Sequence, residues 1–200
     1  MKRPREFMSI PTKEQAGKFL SPLKGSLAVI LLHETQVKAP LSRFLLRCAR
    51  TESLGTTILD ADVFYCTNME LFAADAQPLN GKVLLLPEKD FEVGSLVPLL
   101  SSSQLLLIDD LNSLYSLASE GRRWQQLTIL MRLLSYNARM NGSWAIATAY
   151  RTELETKQTG TDQRSLAALG DVVIDTRSDE GKIKLEPSTK GLWPAGEFYL

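Results

Sequence analysis

What most constrains this chain is an alternation. Short strand-like apolar runs at residues 27–32, 56–59, 82–86, 104–108, 144–148, 171–176 and 182–186, several of them continuously apolar, are separated by longer stretches with a helical hydrophobic period. A half-exposed strand alternates apolar and polar side chains. A run such as Leu27-Ala28-Val29-Ile30-Leu31-Leu32 offers nothing to water on either side, so both faces must be covered. The covers are legible in the segments between. Residues 41–51 carry Leu41, Phe44, Leu45 and Cys48 on one face, and residues 124–140 carry Leu127, Leu130, Met131, Leu134 and Ala138 in register. Residues 69–76 and 91–100 are the other helical candidates. Alternating strands and helices predict an α/β domain whose mainly parallel sheet is flanked by helices. The last two runs, around Ser178-Asp179-Glu180-Gly181, predict an antiparallel edge. Residues 1–25 read as a polar opening segment and residues 26–200 as a single domain.

Composition sets limits on function. The chain has 23 Lys plus Arg against 23 Asp plus Glu, so no global field attracts nucleic acid or an anionic membrane, and any such contact must be local. Cys48 and Cys66 form no CxxC and no metal-ligand spacing, and are expected to be reduced packing residues. With one histidine, His33, a multi-histidine zinc site is excluded, and no metal is expected. The basic tip Met1-Lys2-Arg3-Pro4-Arg5-Glu6 lacks the apolar stretch of a signal peptide, and no run approaches the roughly 20 apolar residues of a membrane span. The expected location is intracellular: cytoplasm or nucleoid, or the nucleus in a eukaryote.

The first apolar run leads into His33-Glu34-Thr35-Gln36-Val37-Lys38-Ala39-Pro40 and then into a helix expected to open near Leu41. Strand, turn and helix in that order are the scaffold of a Walker A loop. There, glycines let backbone N–H groups wrap a triphosphate, a lysine reaches the outer phosphates and a hydroxyl meets magnesium. Laid on this turn, the glycine positions hold His33 and Lys38, the lysine position Ala39 and the hydroxyl position Pro40. All four have changed. Two routes to phosphate binding remain open: Lys38 swinging in for the missing lysine, or the helix N-terminus holding a bare anion.

Further on, Leu105-Leu106-Leu107-Ile108-Asp109-Asp110 has the form of a Walker B strand, whose terminal carboxylate serves the magnesium shell. A helix containing Leu130-Met131-Arg132-Leu133 follows, then a strand ending Thr148-Ala149-Tyr150 and a polar stretch at residues 151–163. That order resembles the RecA/RadA recombinase superfamily, which includes KaiC-like ATPases and the recombinase paralogues. The resemblance extends over nearly the whole chain, to the closing Pro194-Ala195-Gly196-Glu197-Phe198. It implies a RecA-like core with a degenerate Walker A motif. It also places Asp62 of Ile58-Leu59-Asp60-Ala61-Asp62 where the family often has a water-polarising Glu, one methylene longer. The family's Asn-Gln after the strand-end Thr is absent here. The polar stretch lies where the family has a DNA-binding loop, making Arg151, Lys157 and Arg164 candidate DNA contacts, although Glu153, Glu155 and Asp162 offset their charge.

The degenerate nucleotide site is therefore expected at His33, Lys38, Ala39, Pro40, Asp62, Asp109 and Asp110. Carboxylates without a cationic cradle repel a triphosphate, so neither ATP with magnesium nor any other cofactor is expected, and no catalytic residue is assigned. The leading expectation is a non-catalytic recombinase-paralogue-like accessory protein in DNA recombination or repair. It would act through RecA/RadA-like partners in a homo- or hetero-oligomer and through single-stranded DNA. The alternatives are an ATP-independent subunit of a RecA-like ring, resembling the Elongator accessory subcomplex and linked to tRNA, or an ATPase with an unorthodox loop. Trp124, flanked by Arg122 and Arg123, is the expected partner contact, because aromatic and Arg residues dominate interface energetics.

Overall fold

The computed structural model describes residues 11–68, 82–85, 89, 91–100, 102–151, 166–179, 182–188 and 198–199. The helix expected at residues 69–76 lies outside them. Eight strands form one sheet: β1 (Leu27–Leu32), β2 (Thr56–Asp60), β3 (Lys82–Leu85), β4 (Leu105–Asp109), β5 (Trp144–Tyr150), β6 (Val172–Asp179), β7 (Lys182–Pro187) and β8 (Phe198–Tyr199). Their order across the sheet is β3-β2-β4-β5-β1-β6-β7-β8. From β3 to β6 every neighbouring pair is parallel; β6 with β7 and β7 with β8 are antiparallel. The α/β architecture and antiparallel edge read from the sequence are those observed. The two-residue β8 was not foreseen as a strand, being too short to carry a period.

Six helices accompany the sheet among the described residues: α1 (Lys13–Leu20), α2 (Lys38–Thr51), α3 (Phe64–Thr67), α4 (Val93–Leu100), α5 (Leu111–Leu117) and α6 (Arg123–Asn141). They divide the core into two layers. One side of the sheet packs Ala28, Ile30, Leu32, Leu105, Leu107 and Ile146 against α1 and α2; the other packs Val29, Leu31, Leu106, Ile108 and Ala147 against α4, α5 and α6. All six residues of β1 are buried, as a strand covered on both faces requires. Each fully buried Leu, Ile or Val side chain is worth about 1.5–3 kcal/mol.

Part of the opening segment joins this core. Thr12 and Gln15 form a capping box at the start of α1, and Ala16, Phe19, Leu20 and Leu23 are buried beyond it. Helix α2 begins at Lys38, three residues before its expected start at Leu41, after a short helical turn at Thr35–Val37. Pro40 is tolerated there because first-turn N–H groups have no acceptor within the helix. At the other extreme of the fold, α6 stops at Gly142, whose left-handed φ of 59° lets Ser143 N–H close on the Ala138 carbonyl. No described helix is long and apolar enough to cross a membrane.

Candidate functional site

The period-two alternation of the strands builds the site. Because Ile58, Leu107 and Ile146 face α2, Asp60, Asp109, Thr148 and Tyr150 face it too, at the C-terminal ends of β2, β4 and β5. Asp60 and Asp109 are register partners on adjacent strands. Ligand sites of open parallel sheets lie at this end.

Into this carboxylate-lined corner α2 inserts its first residue. The Lys38 side chain is only 3% exposed, with Nζ 3.1 Å from Asp109 Oδ2 and 3.3 Å from Asp110 Oδ2, and it donates a short hydrogen bond to Asp62 Oδ2. The Phe64 ring centroid lies 4.5 Å from Nζ and that of Tyr150 5.7 Å, so aromatic faces complete the enclosure. Every carboxylate has a further anchor. Asp62 Oδ1 accepts from Phe64 N–H, and Asp109 Oδ1 accepts from the Thr148 hydroxyl at 2.7 Å. Asp110 Oδ1 caps α5 through Ser113 N–H at 2.8 Å, and Asp60 Oδ2 accepts from Cys66 N–H. Asn112 ties α5 to β5 by exchanging hydrogen bonds with the Tyr150 backbone.

Charge in this corner is unbalanced. One ammonium faces four carboxylates, of which Asp60, Asp109 and Asp110 are buried. Burial pushes the Asp109 carboxyl up to about 7, against the opposing pull of Lys38 and the Thr148 hydroxyl. Burial also penalises the Lys38 ammonium, yet Asp109, Asp62 and Asp110 outweigh that and hold it above its ordinary value. Asp60 Oδ1 and Asp109 Oδ2 are buried without a hydrogen-bond donor; the second is paired with Lys38 by charge alone. Burial and the neighbouring Asp109 raise the pKa of the Tyr65 hydroxyl beneath the cluster.

Among the described residues, carboxylate oxygens of Asp60, Asp62 and Asp109 lie within 4.8 Å of one another, a spacing a divalent cation could bridge. Lys38 already contacts two of the three, so the chain's own ammonium supplies positive charge where a metal would.

The RecA-like core that the sequence resemblance implies would hold a nucleotide, and the residues present do not fit one. No residue from 33 to 40 has the left-handed backbone that turns successive N–H groups toward a phosphate. The Lys38 N–H is taken by the Thr35 carbonyl, Pro40 has none, and the Lys38 ammonium is turned into the carboxylates. Those carboxylates also repel a bare anion at the helix N-terminus. Of the residues placed in a degenerate site, Lys38, Asp62, Asp109 and Asp110 come together. Ala39 and Pro40 are half-buried in the first turn of α2, while His33 lies apart, its Nε2 3.0 Å from Asp175 Oδ1.

Asp60, Phe64, Thr148 and Tyr150 had no place in the expected site; strand parity, counted forward from Ile58 and from Ile146, is the signal that could have found three of them. Of the candidate DNA contacts, Arg151 is exposed with Nη1 3.8 Å from Asp175, and Lys157 and Arg164 lie outside the described residues. Trp124 is half-buried, its ring edge-on to Tyr115 at 6.4 Å, Arg123 Nε donates to the Ala118 carbonyl, and Arg122 is exposed. Cys48 is buried as expected, but Cys66 is exposed and its thiol is raised by a hydrogen bond to Asp60.

No protein-family model and no curated protein matches this chain. Solved structures do. The flagellar accessory protein FlaH from Methanocaldococcus jannaschii superposes with a TM-score of 0.59 over 86% of this chain and 82% of its own, at 12% identity. The fold is RecA-like.

Proposed function

We propose that this chain is a RecA-like domain that has given up nucleotide chemistry and serves as an accessory subunit beside an active RecA-like ATPase in DNA recombination or repair. The observation that carries the reading is Lys38, buried at the start of α2 and shared among Asp62, Asp109 and Asp110. An ammonium in that position occupies the space and the charge complement that a magnesium-bound phosphate would need. With the site closed from within, the fold retains its shape and its capacity to pack against related domains. The positive groups near the strands' C-terminal ends, such as exposed Arg151, would serve local contact with single-stranded DNA.

Calorimetric titration with ATP and magnesium, with phosphate release followed in the same sample, tests the reading. The expected result is no saturable heat and no release. Saturable binding with turnover that Asp109→Asn abolishes would overturn it. In gel-shift assays single-stranded DNA is expected to bind in preference to tRNA, and the reverse order would favour a tRNA-linked ring subunit.

A further inference from the structure

Helix α6 has two apolar faces, and among the described residues only one is covered. Leu127, Leu130, Met131, Leu134 and Ala138 are buried against the sheet. On the far side Ile129, Leu133, Tyr136 and Met140 are 45%, 41%, 62% and 65% exposed. Their spacing of four, three and four residues places them within about 60° of one another around the helix axis, in a stripe about 17 Å long. The described chain exposes one other large hydrophobic side chain, Val63, so four of five lie in this stripe. Scattered surface apolar residues need no explanation, whereas a continuous stripe opposite a helix's own core face marks a contact surface.

Charge identifies the occupant. Residues 121–150 contain four arginines, Arg122, Arg123, Arg132 and Arg139, and no acidic residue. Arg132 and Arg139 run along one edge of the stripe and both are exposed. Arg139 lies 3.8 Å from half-exposed Asp171; Arg132 has no acidic partner among the described residues. A second copy docked antiparallel through the same face would set Arg132 and Arg139 of one copy beside those of the other. We infer that the outer face of α6 docks an amphipathic helix of a partner protein, one whose apolar row inserts along Ile129, Leu133, Tyr136 and Met140 and whose flanking Glu or Asp residues pair with Arg132 and Arg139. Helix-on-helix packing accommodates such a row at spacings of three and four residues. Bidentate Arg–carboxylate pairs at the edge set orientation and exclude basic competitors. This surface lies on the side of the sheet opposite Lys38 and does not depend on how the nucleotide question is answered.

The test uses the full chain and two fluorescein-labelled, stapled helical peptides with the same apolar row, one flanked by Glu and the other by Lys, read by fluorescence anisotropy. The Glu peptide is expected to bind at least about tenfold more tightly than the Lys peptide. It is expected to lose about tenfold or more on the double substitution Leu133→Gln with Met140→Gln, and several-fold on Arg132→Glu. Circular dichroism would check that both variants fold, which their exposed positions favour. Equal affinity for the two peptides, no binding of the Glu peptide at about 1 mM, or binding untouched by the double substitution would each overturn the proposal. So would a dimer in sedimentation that the double substitution dissolves, which would make the occupant a second copy. Capture by phosphatidylserine vesicles without binding of the Glu peptide would make it a membrane surface and overturn it equally.

Discussion

Two regions of this molecule invert expectation. The corner at the C-terminal ends of β2, β4 and β5 has the position of a binding site and is closed, its carboxylates gathered on Lys38. The outer face of α6 lacks every conventional mark of a site, being a convex helix surface, and it is open, with Ile129, Leu133, Tyr136 and Met140 presented to solvent. The difference teaches that location in a fold does not decide where binding occurs; unmet physical demand does. Charges in the corner have found one another inside the chain, whereas the apolar stripe has found nothing among the described residues.

The sharpest way to break the comparison is to remove the closing group. Lys38→Met keeps much of the volume and leaves the carboxylates without their cation, which is expected to cost about 3–5 kcal/mol by urea denaturation. The cost should depend on pH with a definite sign. Asp109 titrates at about 7 in the folded chain, above its ordinary 3.8, so the folded state binds more protons between those values. This group's contribution is full below about pH 4 and is lost as pH rises through about 7. Without Lys38 the carboxyl is pushed higher still, so the deficit of the variant should be flat below about pH 7 and widen as pH rises above it. Millimolar magnesium should recover part of the loss in the variant and none in the parent, since Asp60, Asp62 and Asp109 are spaced for a cation. A deficit under about 1 kcal/mol that is flat with pH would mean that charge does not hold the corner together.

A smaller effect is expected one step removed. Thr148→Val is nearly isosteric but takes away the hydroxyl that donates to Asp109 Oδ1 at 2.7 Å in a buried setting. Leaving that acceptor unsatisfied should cost about 1–3 kcal/mol. The loss should be less at pH 5 than at pH 8, because protonated Asp109 needs the donor less. A pH-independent loss would assign Thr148 to packing.

Much of the fold was legible because the physics that forms it is periodic. Continuous apolar runs announced strands buried on both faces, and Leu127, Leu130, Met131, Leu134 and Ala138 gave the core face of α6 correctly. Helix α1 was passed over although Thr12 and Gln15 carry a readable capping box and Ala16, Phe19, Leu20 and Leu23 a readable face; the charges around them masked it. In the corner, the sequence groups Lys38, Asp62, Asp109 and Asp110 together but points a swinging Lys38 at a phosphate, whereas it turns into the carboxylates themselves. A side chain's direction at a helix start depends on where the helix begins, and α2 starts at Lys38 rather than beyond Pro40. Asp60 is hidden in the sequence by Asp62, two residues on, whose place in the motif is the more conspicuous, although register pairs Asp60 with Asp109. The outer face of α6 was hidden by its own core face: once one apolar set accounts for a helix, the second reads as background. Trp124, the more conspicuous aromatic in the sequence, packs edge-on with Tyr115.

The finest test of the contrast lies within α6 and uses one residue type twice. Met131 and Met140 are nine residues apart, which on an α-helix is half a turn from the same direction. Met131 is fully buried and Met140 is 65% exposed. Met131→Ala opens a cavity beneath the sheet and is expected to cost about 2–5 kcal/mol. Met140→Ala removes a side chain that touches little and replaces it with the best helix former, so its effect is expected within about 0.5 kcal/mol of zero. Parallel urea titrations of the two variants measure both. If Met140→Ala cost as much as its counterpart, the stripe would be covered from within the chain, and α6 would be closed on both sides as the Lys38 corner is closed. If the cost stays near zero, the apolar row contributes nothing to folding, and what it can contribute is binding.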